Sequence, residues 1–406
     1  MGWLKMNYTF SNKMNGIKAS AVREILKAAS DPRVISFGGG NPAKEAFPKE
    51  AIQKISNDLF NEDPISMLQY GITEGYGPLI ESANVFFNRH ECVTHNFDQL
   101  IITSGSQQIM EFLTKCLCNE GDVVISENPS FLGALNAFKS CGAKVVGVEL
   151  EEDGMNMAAL EQALQTYPNT KFIYTIPNFH NPMGISTSYE KRKAIYELAK
   201  KYQVIILEDN PYGDLRFKNE AIPSIKSLDQ EGIVVYAASL SKIIAPGMRI
   251  AAAIGPKPVI EKMVVAKQVA DVHSNVWAQR VMDRFLRTYD MEKHILSLQN
   301  IYRQKAELMV EEIKKHFHQS VKYTLPEGGM FIWVTLPDDV DVMEFVKKAI
   351  DQYVAVVPGS AFLVDENEEC HSFRMNFSSS SDENIIKGIQ ILGKLTHEYC
   401  LSLIHI

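Results

Sequence analysis

The chain alternates short, almost wholly apolar runs with longer segments whose apolar positions recur every three or four residues. The first kind predicts buried strands, the second amphipathic helices. Strands are predicted at Val34–Phe37, Gln99–Thr103, Val123–Ser126, Ala143–Glu149, Lys171–Ile176, Val204–Glu208, Ile233–Ala238 and Ile250–Ile254. Helices lie between most of them, for instance over Gln108–Cys118 and Tyr189–Lys201. An earlier helix over about Ala19–Ala29 stops at Asp31-Pro32. Such alternation predicts an α/β fold with a largely parallel sheet covered by helices on both faces. Ligands of such sheets gather at the C-terminal strand ends.

After about Asp271 the pattern changes. A long charged amphipathic helix, about Met291–Phe317, leads to strand-like Gly329–Val334. A helix over Val342–Ile350, strands at Val354–Val357 and Phe373–Phe377, and a last helix over Asp382–Tyr399 follow. This is the pattern of a smaller α+β domain. The division expected is an N-terminal segment over residues 1–44 packing with the small domain, a large domain over 45–290 and the small C-terminal domain over 291–406. Leu401–Ile406 reads as a tail beyond the final helix.

Composition narrows the classes. A chain of 406 residues with 46% hydrophobic and 22% charged residues is globular and long enough for roughly two to three domains. A net charge of −8 argues against nucleic acid or an anionic membrane as the main partner. No signal peptide is read at the start, and no apolar run approaches the roughly 18 residues of a membrane span. The six cysteines form no CxxC pair, so they are expected to be buried reduced thiols in a cytoplasmic protein. His316 and His318 are expected on different faces of a helix, so no metal site is expected.

The candidate chemistry follows the predicted strands. Ser239-Leu240-Ser241-Lys242 ends the run Ile233–Ala238, with Arg249 seven residues on. Burial at a strand end favours a neutral amine, the form that attacks a carbonyl. Two hydroxyls and a guanidinium nearby suit a phosphate. Together they suit pyridoxal 5′-phosphate, although a lysine after a strand is equally read as a snorkelling surface residue. Asp209, at the mouth of Val204–Glu208, needs a cationic partner, and a protonated pyridine nitrogen supplies one. Tyr212 is placed to donate to the phenolic ring oxygen. Ser104-Gly105-Ser106-Gln107 opens a helix, whose free N–H groups and positive end suit an anion or simply a serine cap. Asn181, in Pro177–Gly184, suits a ring oxygen, and Phe131, after Glu127-Asn128-Pro129-Ser130, suits stacking on a ring. Their plainer readings are a turn and a core phenylalanine; His180 reads as a packed or solvated loop residue. Each signal is weak alone. Jointly they supply different parts of one cofactor.

From about Ala19 to Tyr399 the chain resembles the fold-type-I pyridoxal-phosphate aminotransferases, in the branch holding 2-aminoadipate, kynurenine and broad aromatic aminotransferases. The motifs are ISFGGGNP at 35–42, TSGSQ at 103–107, NPxG at 181–184, EDxPY at 208–212, SxSK at 239–242 and Phe373-Arg374. The resemblance implies a mainly parallel seven-stranded sheet and a homodimer. Lys242 would carry the cofactor covalently and then move the proton, and Asp209 would pair with the ring nitrogen. Asn181 and Tyr212 would bind the ring oxygen, and Phe131 would stack, where relatives often have tyrosine. Ser106, Gln107, Ser239, Ser241 and Arg249 would cradle the phosphate. Arg374, helped by Asn181 and the Gly38–Gly40 backbone with Gly39 and Gly40 against substrate, would clamp the α-carboxylate. Tyr70 would reach the partner's site, binding cofactor and substrate, and Arg23 would meet the substrate side chain. His180 departs from the smaller or amide residues of many relatives.

The implied reaction is ping-pong transfer of an amino group from an L-amino acid, aromatic, 2-aminoadipate or broader, to a 2-oxo acid such as 2-oxoglutarate. Two alternatives stand beside it. A carbon–sulfur β-lyase would use the same lysine and aspartate. A PLP-binding regulatory module would need a DNA-binding unit, and only one predicted helix precedes Gly40.

Overall fold

The structure, a computed structural model, describes residues 8–15 and 31–401. The helix expected over Ala19–Ala29, with Arg23, lies outside the described residues. Strand β1 (Ile35–Ser36) is followed by β2 (Asp98–Thr103), β3 (Val123–Asn128), β4 (Lys144–Glu151), β5 (Gly154–Met155), β6 (Thr170–Thr175), β7 (Ile205–Asn210), β8 (Val234–Ser239) and β9 (Ala251–Pro256). Strands β2 to β9 make one eight-stranded sheet in the order β2-β9-β8-β7-β6-β3-β4-β5. β8, β7, β6, β3 and β4 pair in parallel; β9 is antiparallel to β8 and β2, and β5 is antiparallel to β4. The seven expected strands are present. The eighth, β5, has two residues, too few for any periodicity to reveal.

Position in the sheet follows apolar content. Every residue of β8 is buried, as suits a strand paired on both sides and covered on both faces. The helix Ser106–Leu117 buries Ile109, Met110, Phe112 and Leu113 against this sheet's core. Tyr189–Tyr202 begins at Ser188, whose hydroxyl accepts from the Lys191 N–H at 3.4 Å. It ends at Gln203 in the left-handed region, φ 55°.

The C-terminal third carries β10 (Lys322–Tyr323), β11 (Phe331–Thr335), β12 (Val354–Ala355), β13 (Val357–Pro358) and β14 (Ser372–Asn376). The second sheet runs β10-β11-β14-β13. The segment Val354–Val357, expected as one strand, divides: Val354 and Ala355 pair with β1, whereas Val357 pairs with Arg374 of β14. Val356 is buried throughout, so the apolar run conceals the change of sheet. The β1–β12 pair, with the Asn376 N–H donating to the Phe37 carbonyl at 2.8 Å, sets Gly38–Gly40 beside β14. The 26-residue helix Met291–His316 is capped by Asp290, which accepts from the Lys293 N–H, and ends in Lys314, Lys315 and His316. His318 lies beyond that helix, and among the described residues no group of three potential ligands could hold a metal.

The cysteines are all free thiols, but uniform burial does not hold. Cys400 alone is buried, Cys92 is exposed, and the other four are half-buried. Among the described residues no helix is long and apolar enough to cross a membrane.

Candidate active site

A cavity of about 450 Å³ opens where the C-terminal ends of the parallel strands meet the second sheet. It brings together Gly39, Gly40, Ser106, Gln107, Phe131, Asn181, Asp209, Tyr212, Ser239, Ser241, Lys242, Arg249 and Arg374. These residues come from the exits of β2, β3, β6, β7 and β8, the approach to β9, the loop after β1, and β14. Tyr70 is not among them. It is 82% exposed, its ring edge-on to His273 at 5.6 Å.

Lys242 is half-buried, and its Nζ donates to the Gly40 carbonyl at 2.7 Å. Burial, then the charges of Arg374 and Arg249, lower its pKa to about 8. Asp209 lies 2% exposed on β7. Its Oδ2 accepts the Tyr174 hydroxyl at 2.9 Å, while Oδ1 is buried without a partner. Burial lifts its pKa to about 7, the Tyr174 bond lowering it and Glu127 raising it. Tyr212 is buried, edge-on to Phe331 at 5.8 Å, and burial pushes its hydroxyl pKa up.

One end of the cavity suits an anion. Gly105, at φ 85°, precedes the helix Ser106–Leu117, and a Cβ there would collide with the Arg249 guanidinium. Arg249 donates to the carbonyls of Pro246, at 3.2 Å, and Ser104, at 3.3 Å, so its charge sits at that helix's positive end. Ser239 and Ser241 line the same cavity. The Gln107 side chain instead donates to the Gly133 carbonyl at 2.6 Å.

The other end suits a carboxylate. Arg374 donates from Nη1 to Asn181 Oδ1 and from Nη2 to the Gly38 carbonyl, each at 2.7 Å. Its Nε has no partner. Its guanidinium carbon lies 4.3 Å from the Phe331 ring centroid and 4.7 Å from that of Phe362. Burial lowers its pKa to about 10. The loop carrying Asn181 is held from below by buried Arg192, which donates to the carbonyls of Pro177 and Thr187 and to Asn178 Oδ1.

His180 is packed, not solvated. Its Nδ1 accepts from the Met183 N–H at 3.4 Å. Nε2 lies 3.1 Å from Glu127 Oε2, but the N–H points off that oxygen, so this is a close approach and not a formed hydrogen bond. Glu127 accepts from the Thr175 hydroxyl at 2.6 Å and the Ile176 N–H at 2.9 Å. Sequence reasoning passed over Tyr174, Glu127, Phe331 and Phe362. Glu127 alone carried a signal, as an acid at the end of an apolar run.

An orphaned buried carboxylate oxygen, a lysine of lowered pKa and an anion cradle fit a group carrying a protonated ring nitrogen, an aldehyde and a phosphate. The comparisons agree. Residues 32–392 match the family model for aminotransferase class I and II. An aromatic-amino-acid aminotransferase of Thermococcus litoralis is 37% identical, covering 96% of this chain and 94% of that one. A 2-aminoadipate transaminase of Thermus thermophilus is 33% identical, covering 96% of this chain and 97% of that one. The crystal structure of a Pyrococcus horikoshii kynurenine aminotransferase, in complex with PMP, superposes with a TM-score of 0.92 at 37% identity, covering 96% of this chain and 97% of that one. The chain therefore belongs to the class I and II aminotransferases, as a fold-type-I, pyridoxal 5′-phosphate-dependent enzyme of the branch that includes aromatic, 2-aminoadipate and kynurenine aminotransferases.

Proposed function

We propose that this enzyme moves the amino group of an L-amino acid with an aromatic or long apolar side chain to 2-oxoglutarate by a ping-pong mechanism, as a homodimer. The observation that carries the donor class is the wall around Arg374. Phe331 and Phe362 flank the guanidinium, and Leu132 and Ile176 also line the cavity. The cationic residues lining it among those described are Lys242, Arg249 and Arg374, and each already has a task. An acidic donor such as 2-aminoadipate needs a further cation, and Arg23 is the residue proposed to supply it.

Bound at Lys242, the cofactor supplies an electron sink for the bond to the substrate α-carbon. Arg374 fixes the α-carboxylate through its remaining N–H groups, its fork oriented by Asn181 and the Gly38 carbonyl. Asp209, with Oδ1 unpartnered, would pair with the ring nitrogen and hold its proton. Asn181 and Tyr212 would take the ring oxygen. Ser106, Ser239, Ser241, the Gln107 backbone and Arg249 would hold the phosphate, and Phe131 would cover a ring face. Lys242 Nζ, its pKa lowered by burial, would act as the base that carries the proton from the α-carbon.

A panel of amino donors with 2-oxoglutarate, read by glutamate formed, tests the reading. Aromatic donors are expected to lead; pyruvate release from cysteine conjugates without glutamate would make the enzyme a β-lyase instead. Arg23→Ala is expected to cut kcat/KM for 2-aminoadipate by about ten- to a hundredfold, the worth of a charge-assisted pair, and to spare aromatic donors. Equal losses on both would leave Arg23 a structural residue.

Exposed Ile65, Leu68, Tyr70 and Ile72 support a second copy as the partner, with Tyr70 completing that copy's site. Mixed Tyr70→Ala and Lys242→Ala subunits are expected to recover about a quarter of wild-type activity when they reassort randomly in a two-fold dimer. Exchange without recovery would rule out sharing. The six free thiols make a reducing, cytoplasmic setting the proposed location.

A further inference from the structure

Asp209 takes a hydrogen bond from Tyr174, a residue outside the motifs quoted above. Strand register brings the two together. Tyr174 of β6 pairs with Leu207 of β7, so Asp209, two residues on, stands on the same face and diagonal to the tyrosine. The Tyr174 hydroxyl donates to Oδ2 at 2.9 Å. Its ring is fully buried and edge-on to Phe138 at 5.2 Å, and Phe138 is edge-on to Phe172 at 5.3 Å.

We propose that Tyr174 is the positioning residue of the ring-nitrogen site: its donated hydroxyl selects Oδ1 as the oxygen that faces the cofactor and keeps Asp209 ionised beneath a protonated ring. The proposal rests on the assignment of Asp209 to the ring nitrogen and extends it. A carboxylate has two equivalent oxygens, and turning about its last bond exchanges them at no cost unless a donor distinguishes them. Here one oxygen has a donor and the other has none. The surrounding groups leave that work to Tyr174. Glu127 of β3 faces Asp209 with like charge and raises its pKa. His180 Nε2 approaches Glu127 Oε2 at 3.1 Å. Glu208, the neighbour on β7, accepts from the Ile225 and Lys226 N–H groups at 3.0 and 2.7 Å. Tyr212, Lys242 and Arg374 line the same cavity as Asp209. Burial and the Asp209 charge push the Tyr174 hydroxyl pKa well above its ordinary value, so the phenol stays protonated and always donates.

Tyr174→Phe removes one oxygen and keeps the ring, so the packing against Phe138 survives. The test uses holoenzyme reconstituted with pyridoxal 5′-phosphate carrying ¹⁵N in the ring, its shift followed from pH 6 to 10, beside Asp209→Asn and wild type. The wild-type ring nitrogen is expected to stay protonated across the range. In Tyr174→Phe it is expected to lose its proton within the range, with cofactor dissociation about tenfold stronger, as for a lost hydrogen bond to a charged group. The donor KM is expected to hold while kcat falls by a similar factor. If Tyr174→Phe leaves the shift and its pH dependence unchanged while Asp209→Asn alters them, the tyrosine is structural and the proposal is overturned. If neither variant alters them, the Asp209 assignment itself fails and takes the proposal with it.

Discussion

Lys242→Ala is expected to lower kcat by about 10³-fold or more, because it removes both the nucleophile and the base that moves the α-proton. Cofactor binding is expected to persist, since Ser106, Arg249 and Asp209 approach from other strand ends and Ser239 and Ser241 stay in place. Borohydride treatment of the wild-type holoenzyme followed by peptide mapping is expected to place the label on Lys242 alone. The pH dependence has a defined sign. Burial and two neighbouring guanidinium charges bring the amine's pKa down to about 8. Labelling of Lys242 in the apoenzyme is therefore expected to quicken as pH rises and to level off above about 8, where the amine is neutral. A label on another peptide, or a variant kcat within tenfold of wild type, would sink the assignment.

The sequence reveals Lys242 and Asp209 for a common physical reason. Strands buried on both faces are nearly continuous apolar runs, so a charged residue that ends one stands out, and the α/β fold collects such ends at one edge. The partners of these residues are hidden for the converse reason. Tyr174 sits inside the run Lys171–Ile176 and reads as core; only the register of β6 on β7 makes it a neighbour of Asp209. Phe331 and Phe362 flank the Arg374 guanidinium through contacts remote in sequence. Val354–Val357 misleads in another way, since an apolar run carries no mark of where a chain leaves one sheet for another. Tyr70 enters only through the resemblance, because a residue proposed to serve a partner looks like any exposed aromatic in its own chain.

Asp209→Asn is expected to separate stability from catalysis. Burial lifts the carboxyl from its ordinary 3.8 to about 7, so the folded apoenzyme binds that proton more tightly than the unfolded chain does. Stability from this group is therefore greatest at acid pH and falls as pH rises between about 4 and 7. At pH 8 the ionised carboxylate, with Oδ1 unpartnered, costs the apoenzyme on the order of a few kcal/mol. Asparagine carries no charge there, so the variant apoenzyme is expected to melt higher than wild type at pH 8 and to lose that lead by about pH 4. With cofactor bound the order reverses. On the proposed assignment a protonated ring nitrogen would give the wild-type carboxylate its missing partner, and the amide would offer no equivalent charge. The loss is expected to be about 3 kcal/mol or more of transition-state stabilisation, roughly a hundredfold in kcat, as when a buried charge pair loses one member. Scanning calorimetry of apo- and holoenzyme at pH 5 and pH 8, with kcat measured alongside, reads both effects. An apo variant no more stable than wild type at pH 8 would mean that Asp209 is not a strained, waiting charge. A kcat within tenfold of wild type would mean that the ring nitrogen does not depend on it.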